Sequence, residues 1–129
     1  MTGTVELELD GGLEWLVDAF GCAPAALRDP ARVLAVFGRA VAELGLHAVA
    51  PVQLHTFPEP GGVTGVLVLS ESHLCCHTFP ERGFAAWNLY CCRPRPEWPW
   101  AERLAEHLGA RRVAVRRVAR PLVEERGPQ

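Results

Sequence analysis

The chain has 129 residues, 14.1 kDa, with 49% apolar residues and 13 basic residues against 15 acidic ones, a formal net charge of -2. All 13 basic residues are arginine. Chemistries that need a lysine are therefore excluded, among them the pyridoxal-phosphate Schiff base and the Walker A phosphate loop. The missing lysine accompanies many Ala, Gly, Pro and Arg and reads as compositional bias.

The length suits one domain over residues 1–129. No run approaches the roughly 18–20 apolar residues of a membrane span. Met1-Thr2-Gly3-Thr4-Val5-Glu6 has neither the basic start nor the apolar block of a signal peptide, so the cytosol is the expected compartment. Five cysteines, four of them in adjacent pairs (Cys75-Cys76, Cys91-Cys92), argue for reduced thiols rather than a disulfide framework.

In chain order, Val5, Leu7 and Leu9 alternate with acidic residues as in a half-buried strand. Gly11-Gly12 interrupts, and Leu13–Val17 is extended again. Asp29 is an N-cap, Pro30 a first helical residue, and Val33, Leu34, Phe37, Val41 and Leu44 recur at helical spacing up to Gly45. His47–Phe57 reads as a strand, residues 58–62 as a turn, and Val63–Glu71 as a second strand. Residues 73–78 continue extended, 80–83 turn, and Phe84–Cys92 is another strand. Trp100–Leu108 is a short helix ended by Gly109, and Val113–Val118 is the last strand. Arg111-Arg112 and Arg116-Arg117 flank its apolar residues and read as a solvated strand face, with no nucleic-acid partner expected. Mostly adjacent strands predict an α+β fold: a two-layer α/β sandwich with a mostly antiparallel sheet and two helices on one face.

Reactive side chains concentrate in residues 71–92. His73 and His77 with four nearby cysteines suggest zinc, yet no C-x-x-C pair is present, and four-residue spacing aligns ligands on a helix rather than a strand. A thiol nucleophile, Cys92 or Cys76 beside a histidine, is a second possibility. Cysteines in apolar strands are more often small buried hydrophobes.

A third reading rests on resemblance. Glu71-Ser72-His73-Leu74, His77-Thr78-Phe79-Pro80-Glu81, Gly83-Phe84-Ala85-Ala86 and Cys92 resemble the short prokaryotic form of the S-adenosylmethionine decarboxylase proenzyme family. His55-Thr56-Phe57, Gly62-Val63-Thr64-Gly65-Val66 and Phe20-Gly21-Cys22 extend the likeness over residues 12–119. It implies self-cleavage at Glu71–Ser72, leaving a β chain of residues 1–71 and an α chain of 72–129. Ser72 would become a pyruvoyl group, whose ketone forms a Schiff base with the substrate amine. By the same resemblance His77 is the proton acceptor in processing, Thr64 supports it, and Cys92 is the proton donor in decarboxylation. Phe57, Phe79 and Glu81 would bind substrate; as ordinary residues, the two phenylalanines would be core and Glu81 part of a turn. No metal is implied. The partners implied are a small-molecule substrate and a second copy in a homodimer of cleaved protomers, and the product would feed spermidine synthesis.

Three positions depart from the family pattern. Asn88 stands where relatives usually carry aspartate, Glu14 where histidine is usual, and Arg93 where glycine follows the catalytic cysteine. They keep arginine or ornithine decarboxylation open as the alternative activity, ahead of an uncleaved, metal-binding non-enzyme.

Overall fold

A computed structural model describes residues 11–124; the alternating segment Val5–Leu9 lies outside the described residues. Six strands form one sheet: β1 (Gly11–Phe20), β2 (Gln53–Thr56), β3 (Val63–Leu69), β4 (Ser72–Phe79), β5 (Phe84–Cys91) and β6 (Arg112–Pro121), in the spatial order β2-β3-β4-β5-β1-β6. Every pairing is antiparallel. Three helices accompany them: α1 (Pro24–Leu27), α2 (Pro30–Leu44) and α3 (Trp100–Leu108). The α+β sandwich read from the sequence is thus the architecture, with one more short helix than expected.

Strand parity sets the two faces. Leu13, Trp15, Val17 and Ala19 of β1 are buried, and so are Ala85, Trp87, Leu89 and Cys91 of β5. Together with Leu74 and Cys76 of β4 they form the face against the helices, where Phe37 of α2 meets Trp87 at 5.2 Å between ring centres. The intervening residues, Glu14, Leu16, Asp18 and Phe20 on β1 and Ala86, Asn88 and Tyr90 on β5, are half-buried on the opposite, open face.

Local chemistry explains most boundaries. The Asp29 side chain accepts from the Ala31 backbone N–H at 3.0 Å and starts α2. Gly45 ends it at φ 65°. Gly11 and Gly12, expected to interrupt the extended chain, are themselves part of β1, and the β5 backbone at Cys91 runs too close to Gly12 for any Cβ. Gly65 serves a similar close approach, with the Phe37 ring seated where a side chain would stand. The strand expected over His47–Phe57 shrinks to Gln53–Thr56, preceded by a lone bridge from Ala48 to Leu69. Glu71, expected inside a strand, lies with Ser70 in the turn between β3 and β4.

One buried polar residue ties the layers together. The Thr78 hydroxyl accepts from the Val63 backbone N–H at 2.9 Å and donates to the Leu27 carbonyl at 2.8 Å. It therefore links β3, β4 and α1.

Candidate active site

Strand β4 carries reactive residues at both ends. Ser72 opens it directly after the turn, half-buried, and His77 stands five residues on, exposed. At about 3.3 Å per residue the two are roughly 16 Å apart along the strand. Their parity also differs, so their side chains leave on opposite faces.

The Ser72 end is built from β4, β5 and the turn. In the register Ser72 lies opposite Cys91, so the two side chains share the helix-covered face. Burial pushes the Cys91 thiol up, opposed by Arg95 and by a hydrogen bond with the Ser72 hydroxyl. Cys92, one residue on, sits on the open face, where its Sγ lies 3.9 Å from the Tyr90 hydroxyl. Its backbone N–H donates to the Glu71 carbonyl oxygen at 3.2 Å. That carbonyl belongs to the peptide bond joining Glu71 to Ser72. The Arg93 guanidinium pairs with the Glu71 carboxylate through Nη2 at 2.8 Å and through Nε.

The His77 end opens into a cleft of about 400 Å³ lined by Phe57, Pro58, Thr64, His77, Phe79 and Glu81, among others. His77 lies opposite Thr64 in the register, and its Nδ1 is 3.0 Å from the Thr64 hydroxyl. Phe57 is 50% exposed and Phe79 38%, so neither is core. Glu81 lies in a single 3-10 turn, Pro80–Arg82, after β4. All five of these residues were singled out in the sequence, and all five meet here, away from Ser72 and Cys92.

The zinc reading fails on geometry. His73 and His77 are four residues apart on a strand, roughly 13 Å, and each has another partner: Asn88 Oδ1 is 2.9 Å from His73 Nε2, and Thr64 faces His77. Among the described residues no group of three or more His, Cys, Asp or Glu side chains is placed to hold a metal ion. None of the helices described is long and apolar enough to cross a membrane.

The arginines of β6 are exposed, as expected of a solvated strand face, and three of them also have partners. Arg112 lies 4.4 Å over the Phe20 ring, Arg116 pairs with Asp18 at 3.5 Å, and Arg120 pairs with Glu14. Sequence reasoning missed Tyr90 and Arg120 as parts of the Ser72 end. The fourfold spacing of Arg112, Arg116 and Arg120 places all three on one strand face and was the available signal.

A family model described as S-adenosylmethionine decarboxylase matches residues 13–121. Among curated proteins, the chain is 34% identical to the S-adenosylmethionine decarboxylase proenzyme of Carboxydothermus hydrogenoformans, over 88% of this chain and 89% of that one. It is 33% identical to the proenzyme of the same name from Pyrococcus furiosus, over 88% of this chain and 81% of that one. Among solved structures, the adenosylmethionine decarboxylase from Aquifex aeolicus superposes with a TM-score of 0.72 at 26% identity, covering 93% of this chain and 98% of that one.

Proposed function

The chain belongs to the S-adenosylmethionine decarboxylase family, and from that premise we propose that it decarboxylates S-adenosylmethionine after cutting itself between Glu71 and Ser72. The relatives' names favour this substrate over arginine or ornithine.

The observation that carries the self-cleavage is the hydrogen bond from the Cys92 backbone N–H to the Glu71 carbonyl oxygen. Attack by the Ser72 hydroxyl on that carbonyl carbon places negative charge on this oxygen, and a donor already aimed at it lowers the barrier. The amide is exchanged for an ester. Removal of the Ser72 Cα proton then expels the Glu71 carboxylate, and hydrolysis releases ammonia and leaves a pyruvoyl group at residue 72. The Ser72 end fits such a group: a half-buried position at a tight turn, with thiols on both sides of the sheet. A pyruvoyl group supplies a ketone conjugated to an amide carbonyl, an electron sink for loss of carbon dioxide. Cys92 is placed to deliver a proton from the open face; Cys91 is buried against the helices, and its thiol is held protonated by that burial.

His77 and Thr64 cannot serve Ser72 of their own chain across roughly 16 Å. The reading therefore requires a second copy, in a homodimer whose open sheet faces bring the His77 end of one protomer to the Ser72 end of the other. Exposed Phe79, Val68 and Val118 on that face support it. In the cleft, Phe57 and Phe79 offer aromatic faces to a purine, and Glu81 offers a carboxylate to a cationic substrate.

Co-expression tests this directly. Ser72→Ala and His77→Ala chains, each inactive alone, should together give cut His77→Ala chains on a denaturing gel and carbon dioxide release with S-adenosylmethionine. Uncut mixtures alongside a wild type that does cut would refute the shared site. An uncut wild type would refute the enzyme's processing altogether.

A further inference from the structure

Four side chains from four strands form one polar line across the open face. Arg120 of β6 bonds Oε1 of Glu14 on β1. Asn88 Nδ2 of β5 donates to Glu14 Oε2 at 2.8 Å, and Asn88 Oδ1 lies 2.9 Å from Nε2 of His73 on β4. The Asn88 amide, and then the Arg120 guanidinium, hold the Glu14 carboxyl below its ordinary value, against the effect of burial.

The direction of every bond in this line follows from chemistry. An ionised carboxylate only accepts, so the Asn88 NH₂ must face Glu14. Its carbonyl oxygen then faces His73 and also only accepts. His73 must therefore carry a proton on Nε2. Tyr90 lies inside the line, opposite His73 in one register and opposite Glu14 in the other. Its ring stacks on His73 at 5.8 Å, Arg120 sits 5.4 Å from its centre, and its hydroxyl is the contact of Cys92 Sγ.

The line thus ends on His73, the residue whose backbone nitrogen joins residue 72, and it encloses the side chain that touches Cys92. Two of the departures from the family pattern, Glu14 and Asn88, are the two central members, and they hydrogen-bond to one another. We propose that Asn88 is a positioning residue for decarboxylation: by fixing His73 in its Nε2–H form it fixes the peptide that carries residue 72, and through Tyr90 it holds Cys92 in the same lattice. This rests on the reading of Ser72 as precursor of the reacting carbonyl.

The test is a charge relocation. Asn88→Asp places a carboxylate oxygen where an amide donated to Glu14 at 2.8 Å, and two carboxylates that close oppose each other's ionisation. Glu14→Gln/Asn88→Asp keeps one carboxylate, moved to β5, with an amide donor opposite. Misplacement by a fraction of an ångström predicts a fall of about tenfold in kcat for Asn88→Asp with KM nearly unchanged. The double variant should recover to within about threefold of wild type, a coupling that independent sites do not show. Nitrogen NMR of the wild-type His73 ring should report the proton on Nε2. A cleaved wild type with His73 protonated only on Nδ1, an Asn88→Asp variant at wild-type kcat, or a double variant no faster than the single overturns the proposal alone. A wild type that never cleaves on a denaturing gel overturns both this and the reading it rests on.

Discussion

The two ends of β4 are built to opposite plans. Around Ser72 the reactive groups are close together and partly enclosed: Cys91 opposite, the Cys92 N–H on the Glu71 carbonyl, and Arg93 clasping the Glu71 carboxylate. Around His77 the side chains are spread and open, lining a cleft with exposed aromatic rings. The first end has a bond held in place and a donor on it, but no imidazole facing that bond from the same side. The second has an imidazole with its hydroxyl partner, but no bond to act on. Each lacks what the other presents, and one strand holds them too far apart to meet within a chain.

Substitutions that separate cutting from turnover probe this division most strongly. Cys92→Ala should still yield two chains on a gel, because the backbone N–H at 92 survives, while carbon dioxide release falls by about 10²–10⁴-fold. His77→Ala should do the reverse, slowing the appearance of cut chains by a comparable factor. If both variants block cutting equally, the two ends are not functionally distinct. A smaller effect is expected beneath the His77 end. Thr78→Val leaves the Val63 N–H and the Leu27 carbonyl without their partner, which should cost about 1–3 kcal/mol by denaturant unfolding. The helical layer, remote from both ends, provides the weakest test. Arg103, Arg39 and the Trp98 indole hold the Glu43 carboxyl down to about 2 from an ordinary 4.5. A depressed carboxyl contributes stability above its unfolded pKa and loses it as pH falls toward its folded one. Melting temperature should drop between about pH 4.5 and 2 in wild type and drop less in Glu43→Gln, with the yield of cut chains at neutral pH alike in both.

The residues of both ends were legible in the chain because the motif through residues 71–92 is dense in side chains whose chemistry is specific. The strands from 63 onward were legible too, since alternation and turn residues are local signals. What was not legible depends on register between distant segments. Asn88 reaches Glu14 across 74 positions, and Arg120 reaches Glu14 across 106. No local pattern fixes such pairings, so Glu14 and Asn88 stood out only as departures. Ser72 and Cys91 share a face for the same reason: parity within each strand was readable, but the register that sets them side by side was not. The shortening of β2 reflects tertiary pairing, since only Gln53–Thr56 form a continuous ladder with β3, while Ala48 makes an isolated bridge to Leu69.

Strand order has a consequence for what a cut at Glu71–Ser72 would do. The segment before the cut supplies β1, β2, β3, α1 and α2, and the segment after it supplies β4, β5, α3 and β6. In the sheet, β1 lies between β5 and β6, hydrogen-bonded on both sides to strands of the other segment, and β3 remains paired with β4. Severing the turn would free two chain ends and no strand. The halves are interleaved rather than stacked, so neither can leave without unzipping ladders on both flanks of β1. A peptide bond at that place contributes connectivity the folded molecule no longer requires, and its loss can be turned to chemistry without loss of the architecture.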